Sequence, residues 1–138
     1  MLHRVVRKLL GLGKPKRTHE SLKARFSHVY RTRAWASEQS ASGPGSDRNS
    51  GSVRQACIAL NQVIRDHDVR SIADAPCGDF NWMPAFLSDH PGIDYVGYDI
   101  VDEMIAANRA KHPQHRFVVL DITQHAPDRA HLIFSKDM

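Results

Sequence analysis

The sequence predicts an α/β domain built on a parallel sheet, on three observations. Short apolar runs alternate with helix-length segments from Val69 onward. The first run breaks into a glycine turn at Asp74-Ala75-Pro76-Cys77-Gly78, and three successive runs end on a carboxylate: Asp74, Asp99 and Asp121. Strand and helix in alternation imply crossover connections, which lay the strands parallel and put helices on both faces of the sheet. In such an open sheet the carboxyl ends of the strands share one edge, and ligands bind there, where strand order reverses. The three aspartates are therefore expected in one crevice.

Residues 1–12 place Leu2, Val5, Val6, Leu9 and Leu10 at helical spacing among His3, Arg4, Arg7 and Lys8, which predicts a short basic amphipathic helix. Gly11 to Arg17 breaks the pattern, and a second helix is expected over residues 21–37 with Leu22, Phe26, Val29 and Tyr30 on one side. Ser, Gly, Pro, Asp and Asn dominate residues 40–52, a loop by composition. Two readings of it stand open: a hinge joining a basic arm to the domain, and a flap over the crevice. Ser52-Val53-Arg54-Gln55 fits a capping box. The helix after it, residues 53–67, turns Val53, Cys57, Leu60 and Ile64 to one side. Strands follow at 69–74, 95–99, 117–121 and 132–135, with helices at 81–88 and 102–112. Pro84 falls in the first turn of its helix, where a missing N–H costs no intrahelical bond, and Pro113 ends the next. Residues 122–130 are too polar and too interrupted by Pro127 for a helix, so the last crossover is expected to be irregular.

At 138 residues, 41% hydrophobic and 25% charged, the chain has the composition of a soluble protein with one core. We divide it into a basic helical arm with its Gly/Pro/Ser-rich loop, residues 1–50, and a domain, residues 51–138. Ten Lys or Arg face one acid, Glu20, in residues 1–33, against nine basic and fourteen acidic residues in the rest. The pI near 9.3 thus belongs to the arm, whose helix reads first as a docking or frayed terminal helix, with attachment to RNA or an anionic membrane surface as the alternative. Cys57 and Cys77 lack metal-ligand or CxxC spacing and the nine histidines are scattered, so no metal site is expected. No apolar run approaches the roughly 18 residues of a membrane span. Val5–Leu12 is interrupted by Arg7 and Lys8 without a small-residue cleavage pattern, and a cytoplasmic location is the expectation. Only Lys136, Asp137 and Met138 follow the last strand, so the second half of a doubly wound sheet is expected to be missing. That strand is then an open edge, able to pair with another chain.

Several positions at the strand ends carry the chemistry. Of the three glycine positions of the dinucleotide pattern, here Pro76, Gly78 and Phe80, only the central one is kept. Gly78 lets backbone approach a ligand, and the next helix start presents free N–H groups. Bulky Phe80 argues against pyrophosphate and hence against NAD. Asp99 suits a ribose diol, whose two hydroxyls it can accept; the alternative is an acid stabilised at a helix N-terminus. Asp121 suits an adenine amino group, with Ile100 and Ile122 as apolar walls, or simply begins a loop. Cys77 is read as packing beside the ligand, and Phe80 and Trp82 as core.

These stretches resemble the class I S-adenosylmethionine-dependent methyltransferases. Asp74-Ala75-Pro76-Cys77-Gly78-Asp79-Phe80-Asn81-Trp82 is similar to the family's first motif and Tyr95-Val96-Gly97-Tyr98-Asp99-Ile100 to its second. Arg116-Phe117-Val118-Val119-Leu120-Asp121-Ile122 is similar to the third, and Leu132-Ile133-Phe134-Ser135-Lys136-Asp137 to the strand that closes the methionine end. The resemblance covers residues 69–138, with the helix from Val53 as a companion, and departs from the family in two first-motif glycines and in the second half. It implies a Rossmann-like fold with S-adenosylmethionine as cofactor. Asp74 and the backbone of Pro76, Cys77 and Gly78 would hold the methionine moiety, Asp99 the ribose, and Asp121 with Ile122 the adenine. It further implies methyl transfer to an acceptor that the sequence does not identify. Asp74, Asp79, Asp99 and Asp121 suit the cofactor's sulfonium and ammonium better than a phosphate. No catalytic pair is expected, because the methyl carbon is already activated and positioning provides much of the rate. A competing reading, of a different class, is a non-catalytic module whose basic arm engages RNA or an anionic membrane while the partial domain serves as scaffold. A nicotinamide-dependent oxidoreductase is disfavoured by Pro76 and Phe80.

Overall fold

The computed structural model describes residues 21–136, so the basic helix expected over residues 1–12 lies outside the described residues. The elements are α1 (Leu22–Thr32), a 3-10 turn (Pro44–Ser46), α2 (Gly51–His67), β1 (Ser71–Asp74), α3 (Met83–Ser88), β2 (Asp94–Asp99), α4 (Asp102–Lys111), β3 (Arg116–Val119) and β4 (Leu132–Phe134). All four strands are parallel, in the order β3-β2-β1-β4. The chain steps outward from β1 to β2 to β3 and then returns to the far side of β1, so strand order reverses at β1. That architecture is α/β and Rossmann-like. The connection from β3 to β4 contains turns but no helix.

Local chemistry sets the helix ends. Ser21 caps α1, its Oγ accepting from Ala24 N at 3.2 Å. The helix stops at Arg33, whose φ of 56° ends it earlier than the apolar spacing suggests. The capping-box expectation at Ser52 is corrected: Ser50 caps α2, its Oγ accepting from Val53 N at 3.1 Å, and Gly51 and Ser52 lie inside the first turn. Both serines can cap, but the Ser50 hydroxyl also donates to Gly45 O at 3.0 Å, tying the helix start to the preceding loop. The helix expected at Asn81 begins only at Met83, with Pro84 in its first turn, because Phe80 adopts a left-handed φ of 58° just ahead of it.

The sheet separates two apolar clusters. On one face Ile72, Tyr95 and Phe117 pack with Val53 and Leu60 of α2, Met83, Phe86 and Leu87 of α3, and Ile105 of α4. On the other, Ala73, Ala75 and Tyr98 are covered in part by Ile122 and Ala130 of the β3–β4 connection. β4 is an edge strand, and its Ile133 is exposed. No helix among the described residues is long and apolar enough to cross a membrane.

Candidate functional site

The strand register sets the carboxylates in steps. Asp74 lies opposite Gly97, and Asp99, two residues further along β2, lies opposite Val119. Asp121 follows two residues beyond Val119, just past the end of β3. At about 3.3 Å per strand residue, each step moves outward by about 6.6 Å while returning the side chain to the same face. Three backbone bonds extend the ladder past the strands and fix this staircase: Ala75 N to Phe134 O at 2.9 Å, Cys77 N to Tyr98 O at 2.8 Å and Leu120 N to Asp99 O at 2.8 Å. Asp74, Pro76, Cys77, Gly78, Asp99, Ile100, Asp121 and Ile122 all line one cavity of about 520 Å³ at these strand ends.

The three acids differ in state. Asp74 is 3% exposed, and Tyr95 Oη donates to its Oδ2 at 2.6 Å. Burial pushes its carboxyl up to about 7, opposed by the Tyr95 hydrogen bond; nearby Asp99 raises it further and Lys136 lowers it. Asp99 is 7% exposed, with Oδ2 accepting from Gly78 N and Oδ1 from Val101 N, each at 3.1 Å. Burial raises its carboxyl above the usual range while those N–H groups pull it back. Asp121 is more open. Its Oδ1 accepts from Thr123 Oγ1 at 2.6 Å and Thr123 N at 2.9 Å, which holds its carboxyl below the usual range.

The turn after β1 depends on two glycines. Gly78 has φ 57°, and a Cβ there would run into Ser42 Oγ. A Cβ on Gly97 would meet Phe117 at 2.8 Å and Cys77 Sγ at 3.0 Å, so β2 can pass under the turn only as glycine. Cys77 packs in that gap. Burial, followed by the charges of Asp74 and Asp99, raises its thiol well above the ordinary value, which agrees with a packing role and not a reactive one.

Asp79, expected among the crevice acids, does something else. Its carboxylate accepts from Ala41 N at 2.7 Å and from the hydroxyl of Ser40 at 2.9 and 3.1 Å, and its own N–H donates to Ser42 Oγ at 2.9 Å. This clasp binds the Ser-rich loop to the glycine turn, and Ala41, Ser42 and Ser46 line the cavity. The loop is therefore a flap on the crevice. Lys136 Nζ adds a bond to Gly45 O at 2.9 Å. Because Ser40 is only 2% exposed, Asp79→Ala leaves a buried hydroxyl without its acceptor. The expected cost is about 1–3 kcal/mol, with faster amide hydrogen exchange at Ala41; unchanged exchange would discount the clasp.

Sequence reasoning missed one wall. Leu22, Phe26, Val29 and Tyr30 of α1, with Trp35 beyond it, line the same cavity. Their helical spacing was visible, but a sequence shows an apolar face without showing what it faces. Lys23 and Arg31 of α1 pair with Asp102 and Glu103 of α4, exposed contacts that orient the helix more than they stabilise it. Among the described residues no group of three or more His, Cys, Asp or Glu is placed to hold a metal ion.

Fold and cavity together define a Rossmann-like α/β domain with a crevice at its switch point. No model of a known protein family matches the chain, and no curated protein matches it.

Proposed function

We propose that this domain binds S-adenosylmethionine in the strand-end crevice and that the protein transfers its methyl group to an acceptor. One observation carries the reading: Asp74, Asp99 and Asp121 converge, with the Gly78 turn, on a single cavity whose volume lies in the range of small-molecule and cofactor sites. A sulfonium and an ammonium favour such an acidic lining, and a pyrophosphate does not. Asp74 and the turn backbone bind the methionine end in this reading. Asp99, its carboxylate fixed by two N–H groups, orients the ribose, and Ile100, Asp121 and Ile122 border the adenine. When bound, S-adenosylmethionine supplies an activated methyl carbon; the chain's own task is to hold it in place and limit water around it.

Isothermal titration tests this directly. S-adenosylmethionine and its demethylated product should each bind the wild type with one-to-one stoichiometry. Removing a charged acceptor of two hydroxyls in Asp99→Ala should weaken both by about tenfold or more. Asp99→Asn keeps the side chain's shape and one of the two turn bonds, since its single amide oxygen can accept from Gly78 N or from Val101 N, and so separates loss of charge from loss of the side chain. Equal heats for wild type and Asp99→Ala would remove Asp99 from the site, and no heat with the wild type would overturn the reading.

A further inference from the structure

The cavity has two chemically distinct sides. Strand ends supply the carboxylates, with Lys136 at the edge of β4, whereas α1 and the flap supply no charged side chain to the lining. Folding also leaves unusual apolar surface here. Leu22 is 40% exposed, Phe26 38% and Trp35 54%, and all three line this cavity. The other two exposed large hydrophobics among the described residues, Ile58 and Ile133, do not. Phe26 and Trp35 meet edge to face with ring centroids 5.9 Å apart, so the two aromatic groups form one fixed corner. Apolar surface that is left wet inside a concave site gains free energy when a ligand covers it.

We propose that this wall is the acceptor subsite and that its occupant is an uncharged small molecule carrying an aromatic ring. Neither sign of charge is matched on the α1 side, and an anion would in addition face the strand-end acids Asp99 and Asp121. The ring site stands on the wall alone; its role as acceptor site rests on the S-adenosylmethionine reading. In the transfer, a lone pair on the acceptor's oxygen or nitrogen forms the bond to the methyl carbon. The carbon–sulfur pair stays with sulfur, leaving a neutral thioether, and the acceptor's proton passes to water.

Equilibrium dialysis of the full chain at pH 7 with 2-naphthol and 2-naphthoate, one ring system with and without charge, tests the proposal. 2-Naphthol should bind about tenfold or more tightly than 2-naphthoate, since burying an unpaired carboxylate is costly. Phe26→Ala and Trp35→Ala should each weaken 2-naphthol by about fivefold or more, while Ile58→Ala and Ile133→Ala leave it unchanged. Equal binding of the two probes overturns the proposal. So does an equal loss in Ile133→Ala, which would mean non-specific adsorption. Binding that appears only after Leu9→Asp and Leu10→Asp also overturns it, by assigning the wall to the chain's own amino-terminal segment. Heat from S-adenosylmethionine without 2-naphthol binding sinks this proposal alone. 2-Naphthol binding without that heat sinks the cofactor reading, and with it the acceptor role.

Discussion

Asp74→Asn is expected to stabilise the domain at pH 8 and to remove most of a decline in stability between about pH 4 and pH 7. Asp74 keeps its proton up to about pH 7 in the folded chain, whereas in the unfolded chain it ionises near the ordinary value of 3.8. Between those limits the folded state binds more protons than the unfolded state, so unfolding free energy falls as pH rises. The loss is complete above about pH 7. At about 1.4 kcal/mol per unit, the difference amounts to as much as about 4 kcal/mol. Asparagine is neutral throughout and still accepts from Tyr95 Oη, so the variant should lose the slope without losing the fold. Urea midpoints at pH 5 and pH 8 decide the matter; a wild-type slope that persists in Asp74→Asn would belong to other groups, of which Asp99, also raised, is the nearest. The same linkage governs a cationic ligand. Binding beside Asp74 favours its ionised form, so affinity for S-adenosylmethionine should rise from pH 6 to pH 8.

Phe80→Ala should destabilise the domain by about 3–5 kcal/mol. Phe80 is 2% exposed, and its ring lies against Tyr95, His112, His115 and Phe117 with centroids 4.9–5.2 Å away. Its backbone nevertheless sits at φ 58°, a region that costs a side-chain-bearing residue about 1–2 kcal/mol. The ring's burial offsets that strain. Phe80→Gly loses the same contacts but relieves the backbone, so it should be the more stable of the two variants, reversing the usual order of alanine over glycine. Chemical denaturation of the pair checks the ordering; alanine above glycine would show that the left-handed turn is not retained.

Much of the sheet was legible because its signals are local. Three of the four strands end at or near a carboxylate, the helices before β1 carry their own apolar spacing, and Pro127 breaks the last crossover, so order and type follow from the chain alone. Boundaries moved where a distant partner decided them. Ser50 and not Ser52 caps α2 because its hydroxyl is already held by Gly45, and α3 starts late because Phe80 is drawn into a pocket of rings from His112, just past α4, and Phe117 of β3. At the strand ends, Asp74, Asp99 and Asp121 could be named from strand spacing, but not their unequal burial, which depends on Tyr95, Gly78 and Thr123. Asp79 was misassigned to the crevice for the same reason: its partners, Ser40 and Ala41, lie 38 or more positions away. The α1 wall was hidden most completely, since nothing in residues 22–35 indicates the cavity they border.

The strand order has a consequence for how the nascent protein matures on the ribosome. Ile72 gains its β4 neighbour, Leu132, only after sixty further residues have been made. At about 5–20 residues per second, that interval is roughly 3–12 s. Throughout it, the central ribbon of the sheet has one flank unzipped, with Ile72 and Ala73 bared to any sticky β-rich chain nearby. A strand flanked on both sides in the finished molecule is thus open on one during its manufacture.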